Sequence, residues 1–410
     1  MAVSLKMKRL RIFFAADHTP NARIASSQLW YNNLYLPLVD LGHEVISFEY
    51  DLSPHFRNLN PSYPEQKAFI KENRPKLETA LLKQVEEAHR DEPLDLFFSY
   101  FYSACIRPET VRAIHDMGIV TVNWYCNAAH QFHLIQEIAP AFDYCLVPEK
   151  FRLVDYRRIG ANPIYCQEAA NPNTYRPFDV PKEYDVTFVG QCYGERPSLV
   201  RQILNAGIDL RVWGPGWHRY SASRDSKHFL PEKVLRKAVE GLSAVGATKS
   251  WKPWSSWVQR LLKKLLRETP DVADKKQQKL PVNCIGGILS DEEVVKMYSR
   301  SKINLGFSAC GSTTELDQRI LQIRLRDFEV PMCGGFYLVE YTKELEDFFA
   351  IGDEIVCYRN FDDLVDKIRY YLSHKNERKA IAEAGRRRCL KDHSWHRRFT
   401  SAFREMGLLQ

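Results

Sequence analysis

The stretch Asp95–Tyr125, DLFFSYFYSACIRPETVRAIHDMGIVTVNWY, decides how the chain folds. It opens on an apolar run, DLFFSY (95–100), short and aromatic enough for a buried strand. A helical pattern follows from Pro108 to Met117, and IVTVNWY (119–125) is a second apolar run. Two strands joined through a helix lie parallel in one sheet, since antiparallel neighbours need only a tight turn.

The same grammar extends in both directions. Upstream, LRIFFAA (10–16) is followed by the polar loop DHTPNAR, a helical stretch through Leu38, the turn LGHEV and a strand from Val45 to Phe48. Downstream, FDYCLVP leads into a helix from Glu149 to Ile159, and PIYCQEA returns to the sheet. An Asn- and Pro-rich segment, NPNTYRPFDVPKEYD (171–185), then reads as a linker or hinge. Beyond it the pattern restarts: strands at VTFVGQ (186–191), IDLRVWG (208–214), NCIGGI (283–288), KINLGFS, GFYLVE and EIVCY (354–358). Helices are predicted at Pro197–Asn205, Asp291–Ser301 with Ser290 as cap, Arg319–Phe328, Asp362–Leu372 and Glu377–Leu390. The expected fold class is α/β, with two Rossmann-like domains, 1–175 and 183–392, facing a cleft. Residues 219–282 carry helical periodicity and no strand, and read as a helical insertion in the second domain.

A length of 410 residues with 45% hydrophobic content suits two folded domains. The N-terminal apolar run is too short for a secretory signal or a membrane span, so a cytoplasmic location is expected. The ten cysteines are dispersed with no CxxC pair, which points to small buried side chains and away from zinc or disulfides. The net charge of +7 is local: residues 249–268 hold Lys249, Lys252, Arg260, Lys263, Lys264 and Arg267 against Glu268, leaving +2 for the rest. Such a distribution excludes a general nucleic-acid-binding surface.

In a doubly wound sheet, ligands sit beyond the carboxyl ends of the strands, where helix N-termini favour phosphates. Gly190 ends such a strand, and Arg196 opens the helix after it, a setting for a diphosphate. The segment RLRDFEVPMCGGFY (324–337) reads as a helix closing on the turn Gly334-Gly335, with Glu329 near the helix end and Arg324 and Arg326 beside it. A carboxylate there can accept hydrogen bonds from vicinal ribose hydroxyls, and one of the arginines would reach the phosphates. Glu340, at the carboxyl end of the following strand, is expected to face the cleft as well.

The spacing EVPMCGGF from Glu329 resembles the element in which family-four retaining glycosyltransferases hold the ribose of a sugar nucleotide. The fuller string RLRDFEVPMCGGFYLVEYTKELEDFF, with GDEIVCY, FVGQCYGERPSLV, RVWGPGW and GGILSDEEVVKMYSRSKINLGFS, is similar to the spore-maturation-protein-like (CgeB-type) glycosyltransferases. That resemblance covers most of residues 186–400; the first half matches more loosely, at GIVTVNWYCN and YRRIGANPIYCQEAANPNTYRPFD. It implies a GT-B architecture, a nucleotide-sugar donor in the second domain, an acceptor at the first, and no metal or other cofactor. It also implies that residues 393–410, beginning HSWHRRFTSAFREM, form a terminal helix crossing back to the first domain.

Catalytic candidates lie at strand ends of the first domain. One loop holds Asp17 and His18, where many inverting relatives place a base; the other holds Asn127, His130 and His133. Related sequences commonly carry an aspartate at Asn127, and an amide cannot act as a base, which leaves His130 as the nearest titratable group. On a helical wheel, WSSWVQRLLKKLLR (254–267) places Trp254, Trp257, Leu261 and their apolar neighbours opposite Lys263, Lys264 and Arg267, with Trp251 just before. This composition suits a helix lying on an anionic membrane surface or in a partner's groove. The expected function is transfer of a sugar from a nucleotide-diphosphate donor to an unidentified polysaccharide, lipid or protein acceptor. A nucleotide-sugar epimerase, or a sugar-nucleotide-binding scaffold recruited to a membrane, would share much of this pattern.

Overall fold

The computed structural model describes residues 8–16, 28–56, 59–221, 279–311 and 319–409. Two parallel sheets organise them. The first comprises β1 (Arg11–Ala15), β2 (Glu44–Ser47), β3 (Leu96–Ser99), β4 (Val120–Trp124), β5 (Tyr144–Val147) and β6 (Pro163–Tyr165). The second comprises β7 (Tyr184–Val189), β8 (Leu210–Trp213), β9 (Ser301–Gly306), β10 (Tyr337–Glu340) and β11 (Val356–Tyr358). Their orders, β2-β1-β3-β4-β5-β6 and β8-β7-β9-β10-β11, follow one winding scheme. In each sheet the order reverses beside the first strand, between β1 and β3 and between β7 and β9, and ligand crevices form at such reversals.

The central strands are covered by helices on both faces, which is why they read as continuous apolar runs. Phe13, Phe97, Phe98, Val122 and Leu146 fill the first core; Val186, Phe188, Ile303 and Leu338 fill the second. The helix Trp395–Glu405 belongs to the first core although it follows the second sheet in sequence, because Trp395, Phe399 and Phe403 all pack there. All ten cysteines are unpaired, and nine of them are buried.

Several elements depart from the sequence reading. The longest helix among the described residues, Pro64–Asp91, went unpredicted: it is rich in charge, carries Pro75 inside, and turns only Ile70, Leu77, Glu78, Leu81 and Val85 inward. NCIGGI is not a strand; it touches β8 through a bridge from Val212 to Ile285 and hydrogen bonds at Gly286 and Gly287. The predicted helix Arg319–Phe328 instead spans Leu325–Met332, because Asp327 caps it by accepting a hydrogen bond from the Arg324 N–H at 3.0 Å. Helix Asp291–Arg300 does start as expected, with Ser290 and Glu293 forming a reciprocal capping box.

Among the described residues, no helix is long and apolar enough to cross a membrane. Asp17 and His18 lie outside the described residues. So do the amphipathic helix and its Trp251, Trp254, Trp257, Leu261, Lys263, Lys264 and Arg267.

Candidate functional site

A cleft of about 620 Å³ opens at the carboxyl ends of β7 and β8 and at the start of helix Leu325–Met332, with Asn127, His130 and Tyr175 contributed from the first half. Gly190, Arg196, Arg324, Arg326 and Glu329 line it together with Asn127 and His130, so most of the sequence-derived candidates meet in one place. Gly190 has to be glycine there. A Cβ on it would sit 2.7 Å from the Phe188 ring and 3.2 Å from the Arg326 guanidinium.

Arg196 spans the order reversal of the second sheet. Its Nη1 donates to the Gln191 carbonyl after β7 at 2.7 Å, and its Nη2 to the Phe307 carbonyl after β9 at 3.3 Å. Only 2% of it is exposed, and its guanidinium stands 3.9 Å from the Tyr193 ring centre. Burial, with Arg324 and Arg326 close by, pulls its pKa down to about 9. Arg324 donates to the Ala309 carbonyl at 2.6 Å. Arg326, in the first turn of its helix, makes no side-chain hydrogen bond or ion pair among the described residues. Among the described residues, three guanidinium groups thus converge with no carboxylate ion-paired to any of them, beside a helix N-terminus that adds partial positive charge.

Glu329 projects into the same cleft from the middle of its helix, 4% exposed. One carboxylate oxygen accepts from the Tyr298 hydroxyl at 3.4 Å, while Oε1 is buried without a partner. Burial pushes its pKa up to about 7, against the opposing pull of Tyr175 and Arg326. A buried carboxylate oxygen of this kind can accept a hydrogen bond from a hydroxyl.

The first half supplies a different chemistry. Asn127 donates to the Tyr100 hydroxyl at 3.1 Å. His130 has a buried, unpartnered Nδ1, and burial together with Arg324 lowers its pKa, keeping it neutral at pH 7. His133, three residues on, is exposed and does not line the cleft.

Three candidates are placed elsewhere. Gly334 and Gly335 end helix Leu325–Met332 at its far end from the cleft. Their N–H groups bond the carbonyls of Pro331 at 2.8 Å and Val330 at 3.0 Å, with Gly334 left-handed at φ 67°. This is a Schellman cap, so the N–H groups of the pair are spent in closing the helix. Glu340 is buried and held by Arg319, whose Nη2 donates to it at 2.8 Å and to Glu195 at 2.6 Å; it does not line the cleft.

One residue of the cleft and two buried carboxylates outside its lining escaped the sequence reading. Asp291 lines the cleft and ties its two walls, accepting from the Gln28 N–H at 2.7 Å and the Asn32 amide at 3.2 Å. Below, Glu149 accepts from the Ala129 N–H and the Gln322 side chain, each at 3.1 Å, and burial raises its pKa to about 8. Glu168 is also buried and its pKa is raised, chiefly by burial. Each follows its strand by two or three residues, so the strand-end rule that picked out Asn127 would have found both.

Two parallel sheets of this winding, facing each other across a cleft at their carboxyl edges, define the GT-B fold of glycosyltransferases. Residues 253–404 match a family model described as glycosyl transferase-like. Sucrose-phosphate synthase from Thermosynechococcus elongatus has the same fold at 12% identity and a TM-score of 0.54, covering 97% of this chain and 99% of its own. HepE from Anabaena, solved with UDP and glucose, aligns over 97% of this chain and 100% of its own, at 9% identity and a TM-score of 0.53. A glycosyltransferase from Rickettsia africae aligns over 97% and 98% at 12% identity and a TM-score of 0.52. No curated protein matches the chain significantly in sequence.

Proposed function

We propose that the chain is a glycosyltransferase that moves a sugar from a nucleoside-diphosphate donor to an acceptor hydroxyl. The observation that carries this reading is the set Arg196, Arg324 and Arg326, three cations with no ion-pair partner among the described residues, opposite a Glu329 oxygen that accepts no hydrogen bond from those residues. A nucleoside diphosphate supplies what both lack: anionic oxygens for the guanidiniums and ribose hydroxyls for the carboxylate. In the reaction, the bond from the anomeric carbon to the diphosphate breaks and one to the acceptor oxygen forms. Charge collects on the departing diphosphate, where preorganised guanidiniums are most effective. The acceptor proton leaves to that diphosphate or to the neutral imidazole of His130, with Asn127 hydrogen-bonding the sugar. The local sequence likeness to CgeB-type and family-four enzymes supports the same assignment.

Arg326→Gln tests it most directly, because among the described residues this side chain makes no hydrogen bond or ion pair and only a cation–π contact with Phe188 at 5.8 Å. Its loss is expected to weaken UDP, GDP or ADP, whichever binds the native protein, by roughly 10- to 100-fold in calorimetric titration, the worth of a charge-assisted hydrogen bond. Unchanged affinity in the variant, or no nucleotide bound by the native protein, would remove the proposal.

A further inference from the structure

A second concavity, of about 730 Å³, lies wholly in the first half. Lys67, Lys71, Arg74 and Arg107 line it, with Glu137 as the carboxylate among its lining residues. Lys67, Lys71 and Arg74 are spaced four and three apart on helix Pro64–Asp91 and so share one face. Arg74 donates to the Ser103 carbonyl at 2.9 Å, and Arg107 is held by Glu78 at 2.6 Å. Lys67 and Lys71 have no side-chain partner among the described residues. Elsewhere on the same helix, Lys76 pairs with Glu72 at 2.9 Å and Lys83 with Glu87 at 3.9 Å, each one turn away. Like charges one turn apart destabilise a helix, so the unpaired Lys67 and Lys71 run against the pattern of their own element. Leu59, Ile70 and Leu134 supply an apolar floor.

Position links this groove to the reaction. The turn Ala128–Leu134 serves both concavities: His130 and Gln131 line the donor cleft, His133 and Leu134 the groove. We infer that the groove seats an acceptor glycan carrying anionic groups, carboxylate or phosphate, through Lys67, Lys71 and Arg74. This rests on the transferase reading and specifies its acceptor class.

The native protein and a Lys67→Gln/Lys71→Gln variant, both changes being at exposed positions, are titrated with hexagalacturonate, tripolyphosphate and neutral maltohexaose. UDP is titrated separately. The native protein is expected to bind a polyanion and not maltohexaose, and the variant to lose at least tenfold for that polyanion with UDP affinity unchanged. Whichever polyanion shows the loss identifies the charged group. Equal polyanion affinity in the two proteins, or a loss seen only on changing Lys263 and Lys264 to Gln, overturns the inference. Failure of UDP to bind either protein counts against the donor assignment alone.

Discussion

Glu329→Gln should make the protein more stable above pH 7 and a poorer binder of its nucleotide. The carboxyl has a pKa of about 7 in the fold against an ordinary 4.5, so the folded state keeps a proton that the unfolded chain has released between those values. Stability therefore falls as pH rises from 4.5 to 7 and stays low above, the direction set by proton linkage. A shift of that size corresponds to about 3 kcal/mol as an upper value. The amide does not titrate, so the variant should pull ahead of the native protein as pH rises through the window and match it near pH 4.5. Tyr298 and Tyr175 can each accept from the new amide, which limits any packing cost. Nucleotide binding should move the other way, since the carboxylate's acceptance of two ribose hydroxyls is lost. Thermal melts at pH 4.5, 6 and 8, with and without UDP, resolve the two effects; a variant no more stable at pH 8, or one binding UDP as well as the native protein, contradicts the assignment.

The other large effect is expected in the first core. Trp395 is completely buried, packs edge-on to Trp124 with ring centres 5.3 Å apart, and donates from Nε1 to Asn33 at 3.1 Å. Trp395→Ala should cost about 3–5 kcal/mol, the usual range for emptying such a site, and it also strands the Asn33 oxygen. Asn33 in turn donates to the Tyr175 hydroxyl at 3.2 Å, and Tyr175 lines the cleft facing Glu329. Loss of Trp395 should therefore weaken nucleotide binding as well as lower the urea midpoint. Trp395→Phe keeps most of the packing and isolates the hydrogen bond, worth about 1 kcal/mol. A cost under 1 kcal/mol for the alanine variant would mean that the terminal helix does not build the first core.

The strands were legible because both faces of a parallel sheet are covered, which leaves runs such as LRIFFAA and VTFVG with no polar face to hide them. Helix Pro64–Asp91 was not, since Pro75 and its many charges obscure a narrow buried stripe. The glycine pair at 334–335 is ambiguous for another reason: capping geometry and phosphate cradling use the same residue type. Arg324 and Arg326 stand at the opposite end of that helix, where it begins against the cleft. Glu149 and Glu168 were passed over because burial, and not residue identity, makes their carboxyls unusual. His130 was named from its loop position; its lowered pKa comes first from burial and then from Arg324, nearly two hundred residues away, and neither can be read from local sequence.

The unpaired cysteines carry a consequence for how opening of this molecule can be timed. Thiol reagents attack the thiolate, and burial raises Cys105, Cys145, Cys166 and Cys357 to about 12, so the folded chain offers almost none at neutral pH. Each half holds its own set: Cys105, Cys126, Cys145 and Cys166 among β1–β6, and Cys284, Cys310, Cys333 and Cys357 among β7–β11. Alkylation followed by peptide mass mapping thus dates the exposure of each sheet separately. The chain has a built-in chronometer that tells which half lets go first.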